Sequence, residues 1–208
     1  MPSAAESITA AITAAGGAIS FEQYMGLALY GTGGFYQDGG KAGRRGDFIT
    51  SPEVGPLFAA VVARYLDSCW NELGCPDSFD VVEVGAGPGT LARGIFAAQP
   101  QCLSAMKYVA IEISESQRAM HPDFVESVES FPERSIQGVV LANELLDNLP
   151  FNLYVYDGAW KEAFVALGDG DKFVEVLRKV DEVPEVLPKL APLGSRAPIQ
   201  VAASQWML

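Results

Sequence analysis

One stretch of the sequence indicates the fold class most directly: Val81-Val82-Glu83-Val84-Gly85-Ala86-Gly87-Pro88-Gly89-Thr90-Leu91. It begins in a short run of β-branched residues, which favours a strand, and a helix is predicted from about Thr90 to Ala98. The three glycines between them let the backbone turn sharply and let a ligand approach main-chain atoms closely. The pattern therefore predicts a strand, a tight turn and a helix, with the turn as a candidate binding loop.

Further apolar segments around this stretch alternate between strand and helix patterns. A long apolar helix is predicted from about Pro56, which suits a first helical position, to Leu73, before Gly74. The predicted strands run from Phe79 to Val84, from Lys107 to Ile113, from Phe124 to Val128 (a weak one) and from Gly138 to Ala142. Strands that are apolar throughout and alternate with helices predict an α/β fold with a parallel sheet covered on both faces.

The chain after Pro150 follows a different pattern. Three strand-like runs extend from Phe151 to Tyr156, from Trp160 to Ala166 and from Lys172 to Arg178. Short turns, Asp157-Gly158 and Gly168-Asp169-Gly170, separate them, and turns of this kind connect antiparallel neighbours. We therefore expect an inserted three-stranded antiparallel meander and no helix between Asn152 and Ala166.

Two short helices are predicted at the N-terminus because capping-box spacings occur twice. Ser3 precedes Glu6 by three residues, and Ser20 precedes Gln23 by the same distance. The whole chain then divides into three predicted sections: an N-terminal helical region (1–74), a binding core (75–150), and the meander with the C-terminal segment (151–208).

Composition narrows the function classes. The 208 residues carry a net charge of −12, which disfavours general nucleic-acid binding and suits a basic partner. Three cysteines without a CxxC pair and a single histidine predict neither a metal site nor a disulfide scaffold. No run approaches 18 consecutive apolar residues, and the N-terminus lacks the pattern of a signal or transit peptide. We therefore expect no membrane span and a cytoplasmic location.

Two carboxylates accompany the glycine loop and suggest its ligand. Glu112 ends the second predicted strand, where a carboxylate can accept hydrogen bonds from both hydroxyls of a ribose. Glu83 precedes the loop and could hold an ammonium group. A ribose and an ammonium without a phosphate describe S-adenosylmethionine. The G-x-G-x-G spacing and Pro88, which removes one N–H donor, disfavour a nicotinamide dinucleotide, while a tight turn without a ligand remains the alternative.

The segment Asn143-Glu144-Leu145-Leu146-Asp147-Asn148-Leu149-Pro150 is the second candidate site. It follows the fourth predicted strand, and open α/β sheets bind ligands beyond the carboxyl ends of their strands. Glu144 and Asp147 would share one face if this segment turned helically, and two carboxylates suit a guanidinium. The alternative is a helix cap followed by a solvated turn. His121, just before Pro122, is expected to cap a helix end or to be exposed.

Three motifs together resemble the MidA family of S-adenosylmethionine-dependent methyltransferases. They are GDFITSPE (46–53), VEVGAGPGTL (82–91) and NELLDNLP (143–150), with a similar opening at 20–25 and 33–36. The resemblance covers roughly residues 19 to 167. It implies a class I, Rossmann-like methyltransferase fold and methylation of a protein arginine, because mitochondrial members modify an arginine of a respiratory complex I subunit.

The resemblance also implies roles for individual residues. The cofactor-binding positions are Glu83, Gly85, Ala86, Gly87, Gly89, Glu112, Ile113, Asn143 and the turn Thr50-Ser51-Pro52-Glu53. The catalytic positions are Asn143, Glu144 and Asp147. The sequence departs from the family pattern at Ala86 and Pro88 in the loop and at Asn148. Relatives continue past residue 208, so we expect a chain truncated before the last strands of the family fold.

The function expected from the sequence is S-adenosylmethionine-dependent methylation of an arginine in a protein with a basic segment. One alternative is an assembly or binding module that keeps the fold and the cofactor site without turnover. A second alternative is a nicotinamide-dependent oxidoreductase. The sequence leaves a homodimer open.

Overall fold

The computed structural model describes residues 2–36 and 55–200, except for the side chain of residue 171. The chain forms two compact units. The first unit combines Met1–Asp38 with Leu146–Leu208, and the second unit is Gly39–Leu145. The long helix from Pro56 belongs to the second unit, whereas the three predicted sections placed it with the N-terminal helices.

The described part of the chain begins with helices, alternates between strands and helices in its middle, and ends in a run of strands. The helices are α1 (Ala4–Ala14), α2 (Phe21–Tyr30), α3 (Pro56–Glu72), α4 (Thr90–Ala97) and α5 (Glu115–Arg118). The strands are β1 (Ala18–Ser20), β2 (Phe79–Val84), β3 (Met106–Ile111), β4 (Glu126–Val128), β5 (Gly138–Ala142), β6 (Asn152–Tyr156), β7 (Trp160–Leu167), β8 (Phe173–Lys179) and β9 (Arg196–Ile199). Among the described residues, no helix combines the length and apolar character needed to cross a membrane.

The second unit contains the predicted parallel sheet. Its strand order is β4-β3-β2-β5, and each neighbouring pair is parallel. All six residues of β2 are buried, as expected for a central strand covered on both faces. The structure therefore confirms the α/β fold, and β3 ends at Ile111, two residues earlier than the sequence predicted.

Opposite faces of this sheet carry different apolar clusters. On one face, buried residues of α3 and α4 pack with the sheet; they include Ala59, Ala63, Leu66, Leu91, Ala92, Ile95, Phe79, Val81 and Tyr108. On the other face, Val82, Val84, Val109 and Ile111 pack with partly buried residues that include Leu145. Residues of β2 contribute to both clusters because successive side chains of a strand point to opposite faces of the sheet.

Close main-chain contact joins β5 to β2. A Cβ atom on Gly138 would lie 1.8 Å from the carbonyl oxygen of Asp80, so only glycine fits at the start of β5. The Asp80 carboxylate accepts a hydrogen bond from the Gln137 amide at 3.0 Å and pairs with Arg134 at 2.9 Å. These contacts fix the position of the strand that leads into Asn143.

The first unit contains an antiparallel sheet, which confirms the predicted meander. β7 pairs with β6 and with β8, and among the described residues no helix lies between Asn152 and Ala166. Two further strands extend the meander: β1 pairs with β7, and β9 pairs with β6. Neither of these two pairings was expected from the sequence.

Both predicted N-terminal helices form and pack in the first unit. The Ser3–Glu6 and Ser20–Gln23 capping boxes are both present. Ile8 and Ile12 of α1 are buried with Ile19 and Val165, so the apolar face of α1 packs against the sheet. The spacing of Ser114 and Gln117 also predicts a cap for the helix after β3, and this prediction is wrong. Ser114 does not cap α5 through its side chain, and Gln117 is instead buried near the glycine loop.

Candidate functional site

Three parallel strands of the second unit end at one edge of the sheet. Val84, the last residue of β2, pairs with Ile111 of β3 and with Ala142 of β5. The residues that follow these ends, Gly85, Glu112 and Asn143, therefore leave the sheet at the same edge. This edge is where ligands bind in open α/β folds, and the register thus gathers predicted site residues from separate sequence segments.

The glycine loop adopts a conformation that requires glycine. Gly85, Gly87 and Gly89 have φ values of +71°, +55° and +79°. A Cβ atom on Gly85 would lie 3.0 Å from the Leu145 side chain, and one on Gly87 would lie 3.2 Å from the side-chain oxygen of Gln117. The Gly85 and Ala86 amides both donate to the Ile111 carbonyl, at 2.9 and 3.0 Å. The loop is therefore hydrogen-bonded to β3 and packs closely against the Leu145 and Gln117 side chains.

The carboxylate of Glu112 is held by the main chain around it. One oxygen accepts from the Gly87 amide at 2.9 Å, and the other accepts from the Ser114 amide at 2.9 Å. The residue is buried apart from 8% of its surface. Because an ionised carboxylate has about four acceptor sites, two remain for hydroxyl groups of a ligand. The arrangement suits the ribose role predicted for Glu112, and exposed Ile113 directly after it offers an apolar surface.

Glu83 lies near the end of β2, two residues before the loop, in an environment that disfavours its charge. Its carboxylate accepts a hydrogen bond from the Tyr108 hydroxyl at 2.7 Å, and the residue is only 4% exposed. Burial raises the pKa of Glu83 to about 7; the Tyr108 hydrogen bond opposes that rise, and the negative charge of Glu112 adds to it. Glu83 can therefore change its charge near neutral pH, where an approaching ammonium would favour the ionised form.

The raised pKa of Glu83 predicts a loss of folding stability as pH rises. The unfolded carboxyl ionises near its ordinary pKa of 4.5, whereas the folded one keeps its proton up to about 7. The free energy of unfolding should therefore fall between about pH 4.5 and 7. Between pH 5 and 8 we expect the parent to lose about 2 kcal/mol relative to Glu83→Gln, whose side chain does not titrate.

Urea denaturation of both proteins without ligand at pH 5 and pH 8 measures this difference. Taking the difference between the two proteins removes the contribution of the other carboxylates. Equal pH dependence in the parent and in Glu83→Gln would contradict the buried, neutral state assigned to Glu83.

The segment after β5 does not form the helical turn assumed for the two carboxylates. Glu144 has a φ of +51°, and the only helical turn there is the short 3-10 segment Leu146–Asn148. The condition under which Glu144 and Asp147 would share one helical face is therefore not met. Asn143 is half-buried and Glu144 is exposed in the second unit, whereas Asp147 is exposed in the first. A left-handed conformation at a non-glycine residue is typical of functional sites, where surrounding contacts hold it.

Asn148, noted in the sequence only as a departure from the family pattern, joins a polar network in the first unit. Its side-chain oxygen accepts from the Tyr36 hydroxyl at 2.7 Å, and its carbonyl accepts from Tyr30 at 2.6 Å. The two tyrosine rings stack with centroids 5.5 Å apart, and the Asn148 amide donates to Asp147 at 3.3 Å. This network fixes the turn that carries Asp147. Both tyrosines lie far from Asn148 in the chain, so no local sequence pattern indicates these contacts.

The structure also contradicts the prediction that His121 caps a helix end or is simply exposed. Its Nε2 atom lies 2.7 Å from the carbonyl oxygen of Gly87, and its Nδ1 atom lies 2.7 Å from the Ser127 hydroxyl. The side chain therefore contacts the glycine loop and is neither a helix cap nor simply exposed. The contact joins segments 34 residues apart, which local patterns do not show.

Two further predictions concern the turn at residues 50–53 and the absence of a metal site. The turn Thr50-Ser51-Pro52-Glu53 lies outside the described residues, so its closing role stays a prediction. Within residues 2–36 and 55–200, no group of three or more His, Cys, Asp or Glu side chains is arranged to hold a metal ion.

Comparison with known proteins identifies the family of this chain. A family model described as S-adenosyl-L-methionine-dependent methyltransferase matches residues 61–208. A crystal structure from Burkholderia thailandensis, bound to S-adenosyl-homocysteine, is 33% identical, with a TM-score of 0.75 over 86% of this chain and 50% of its own. A native crystal structure from the same organism is 32% identical, with a TM-score of 0.74 over 98% of this chain and 56% of its own.

Curated relatives are similar in sequence over a shorter part of their length. The "Protein arginine methyltransferase NDUFAF7 homolog, mitochondrial" of Drosophila melanogaster is 31% identical over 74% of this chain and 43% of its own. The mouse "Protein arginine methyltransferase NDUFAF7, mitochondrial" is 36% identical over 47% of this chain and 22% of its own. The chain thus spans less than half the length of these relatives.

Proposed function

The chain belongs to the MidA-type family of S-adenosyl-L-methionine-dependent methyltransferases, and on this basis we propose that it methylates an arginine nitrogen of a protein. The observation that supports cofactor binding in this proposal is the glycine loop with Glu112 at the carboxyl edge of the sheet. Three left-handed glycines leave a cradle that Cβ atoms would disturb, and the Glu112 carboxylate keeps acceptor sites. The residues present therefore fit a nucleoside with free ribose hydroxyls.

Binding of the cofactor involves residues of three segments. We expect main-chain groups of the glycine loop to contact the methionyl part, Glu112 to accept from the ribose hydroxyls, and exposed Ile113 to pack against the adenine. Buried Glu83, near the end of β2, would attract the ammonium group of the cofactor when its carboxyl group is ionised. When bound, S-adenosylmethionine supplies a sulfonium-activated methyl group, which passes to nitrogen while sulfur keeps the bonding electron pair.

Glu144 is the residue proposed to act on the substrate. It follows the end of β5, at the same edge as the glycine loop, and the residue is exposed. A carboxylate can hold a guanidinium by two parallel hydrogen bonds and can accept the proton released when the nitrogen becomes methylated. Asn143 contributes an amide beside it. Asp147 stays a predicted partner carboxylate on the basis of sequence alone.

The partner proposed is a protein with an exposed basic segment. The net charge of −12 favours association with such a segment, and the association should weaken as salt rises. Both curated relatives described above are named as protein arginine methyltransferases, which supports the same substrate class. Their names also carry the word mitochondrial, so the cytoplasmic location expected from the sequence stays a prediction.

Two measurements test the proposed function. Titration calorimetry with S-adenosylhomocysteine and, separately, with NADH should give heat of binding only for the first. Transfer of a labelled methyl group to arginine-rich peptides, with lysine-substituted peptides as the control, should follow. Binding of NADH alone would favour the oxidoreductase alternative, whereas cofactor binding without methylation of any protein would favour a non-catalytic module.

A further inference from the structure

We propose that His121 is a positioning residue that holds the glycine loop in its cofactor-binding conformation. The inference rests on the proposed function, since it concerns the same loop. His121 is the single histidine of the chain, and it lies after α5, outside the motifs that carry the family resemblance. Its imidazole nevertheless bonds directly to the central glycine of the loop.

The Gly87 residue is held from both sides by side chains. Its amide donates to Glu112 at 2.9 Å, and its carbonyl oxygen lies 2.7 Å from Nε2 of His121. At the left-handed φ of +55°, a glycine without such contacts has wide conformational freedom. The two hydrogen bonds therefore fix the orientation of the peptide groups on either side of Gly87. Through the amide, they also fix the carboxylate proposed to bind the ribose.

The chemistry of the two contacts determines the tautomer of the ring. A carbonyl oxygen only accepts, so Nε2 must carry the proton that it donates to Gly87. In the neutral ring, Nδ1 is then the acceptor and takes the hydrogen bond from the Ser127 hydroxyl, 2.7 Å away. Ser127 belongs to β4, so the imidazole connects the loop to a strand of the sheet.

A second side chain joins the same two segments. Arg93 of α4 donates to the Pro88 carbonyl at 2.7 Å, and its other terminal nitrogen bonds the carbonyl of Met120, next to His121. Consecutive carbonyls of the loop, those of Gly87 and Pro88, are thus each bound by a side chain. The ring also packs closely, because a Cβ atom on Gly89 would lie 3.4 Å from Cδ2 of His121.

These contacts predict an effect on cofactor affinity that exceeds the effect on folding. His121 is half-buried and lies outside the apolar clusters of the second unit. We expect His121→Phe to raise the dissociation constant for S-adenosylhomocysteine by about tenfold, because the Gly87 carbonyl loses its donor. His121→Gln places an amide donor near the Nε2 position and should stay within about threefold of the parent. Both variants should melt within a few degrees of the parent.

The test combines calorimetry with S-adenosylhomocysteine, melting curves and nitrogen-15 NMR of the imidazole. One histidine per chain gives an unambiguous signal, and the neutral form of the ring should carry its proton at Nε2 and not at Nδ1. Ser127→Ala should shift that tautomer balance, whereas the matched control Ser135→Ala should not. In methyl transfer, His121→Phe should raise the KM for S-adenosylmethionine and leave kcat within about twofold.

The outcomes separate the two proposals. If the parent binds S-adenosylhomocysteine and His121→Phe binds it equally well, the positioning role is wrong while the proposed function stands. Equal losses of affinity in the Phe and Gln variants, with matching losses in melting temperature, would likewise overturn it in favour of a purely structural ring. If the parent binds no S-adenosylhomocysteine, the proposed function and the positioning role both fail.

Discussion

Replacement of Glu112 by alanine is expected to weaken binding of S-adenosylhomocysteine by about 1.5–3 kcal/mol, or roughly 10- to 150-fold. The variant loses charge-assisted hydrogen bonds to both ribose hydroxyls. It also leaves the Gly87 and Ser114 amides without the carboxylate that accepts from them, at 2.9 Å each. One restraint on the loop and the direct ligand contact are therefore lost together, so we expect a large effect on binding.

Titration calorimetry of the parent and three variants separates these contributions. Glu112→Gln keeps one carbonyl oxygen but directs an amide donor at one of the two main-chain donors, so its affinity should fall between those of the parent and of the alanine variant. Glu115→Ala is the matched control, since that glutamate is exposed on neighbouring α5. Unchanged affinity in Glu112→Ala would remove the basis for assigning the ribose to this residue.

Replacement of Glu144 by glutamine is expected to reduce methyl transfer by at least ~100-fold, the usual contribution of one acid–base group. The substitution keeps the size of the side chain and removes the charge that holds a guanidinium and accepts its proton. Affinity for S-adenosylhomocysteine should barely change, because Glu144 follows β5 and the proposed ribose and loop contacts come from other segments. A large loss of turnover with intact cofactor binding is therefore the expected signature.

Rates of labelled methyl transfer to an arginine peptide, measured at saturating cofactor, give the comparison. Glu133→Gln is the control because Glu133 is another exposed glutamate of the second unit. Glu144 also has a φ of +51°, so Glu144→Asn, at a position where asparagine tolerates the left-handed conformation, tests whether the backbone or the charge matters. A Glu144→Gln variant as fast as the parent would mean that Glu144 has no role in the chemistry and lies on a solvated turn.

Local patterns in the sequence were sufficient for much of the fold. The strands of the parallel sheet, both N-terminal capping boxes and the meander could be predicted because each depends on residues close together in the chain. The Asp157-Gly158 turn, for example, sets the antiparallel pairing of β6 with β7 by itself. Two interpretations that depended on regular helix geometry do not hold. The segment after Asn143 forms no helix through Glu144, and the Ser114 side chain does not cap α5.

Contacts between distant segments could not be predicted in this way. The pairing of β1 with β7 joins Ile19 to Val165, and three residues after Gly17 carry too short a pattern to indicate a strand. The contact of His121 with Gly87 uses a main-chain carbonyl, which every residue type offers. The contact of Tyr36 with Asn148 joins side chains 112 residues apart in the chain. Such hydrogen bonds leave no periodic signal in the sequence.

The parallel sheet and the glycine loop could be predicted from the sequence, because strand and turn propensities act over a few residues. Which side chains support the loop, and how each carboxylate is held, depends on the tertiary structure. The register of β2 with β3 places Glu112 beside the Gly87 amide, and burial raises the pKa of Glu83 to about 7, although the Tyr108 hydrogen bond opposes that rise. Both effects depend on distance in space and on solvent exclusion, which exist only once separate segments have packed together.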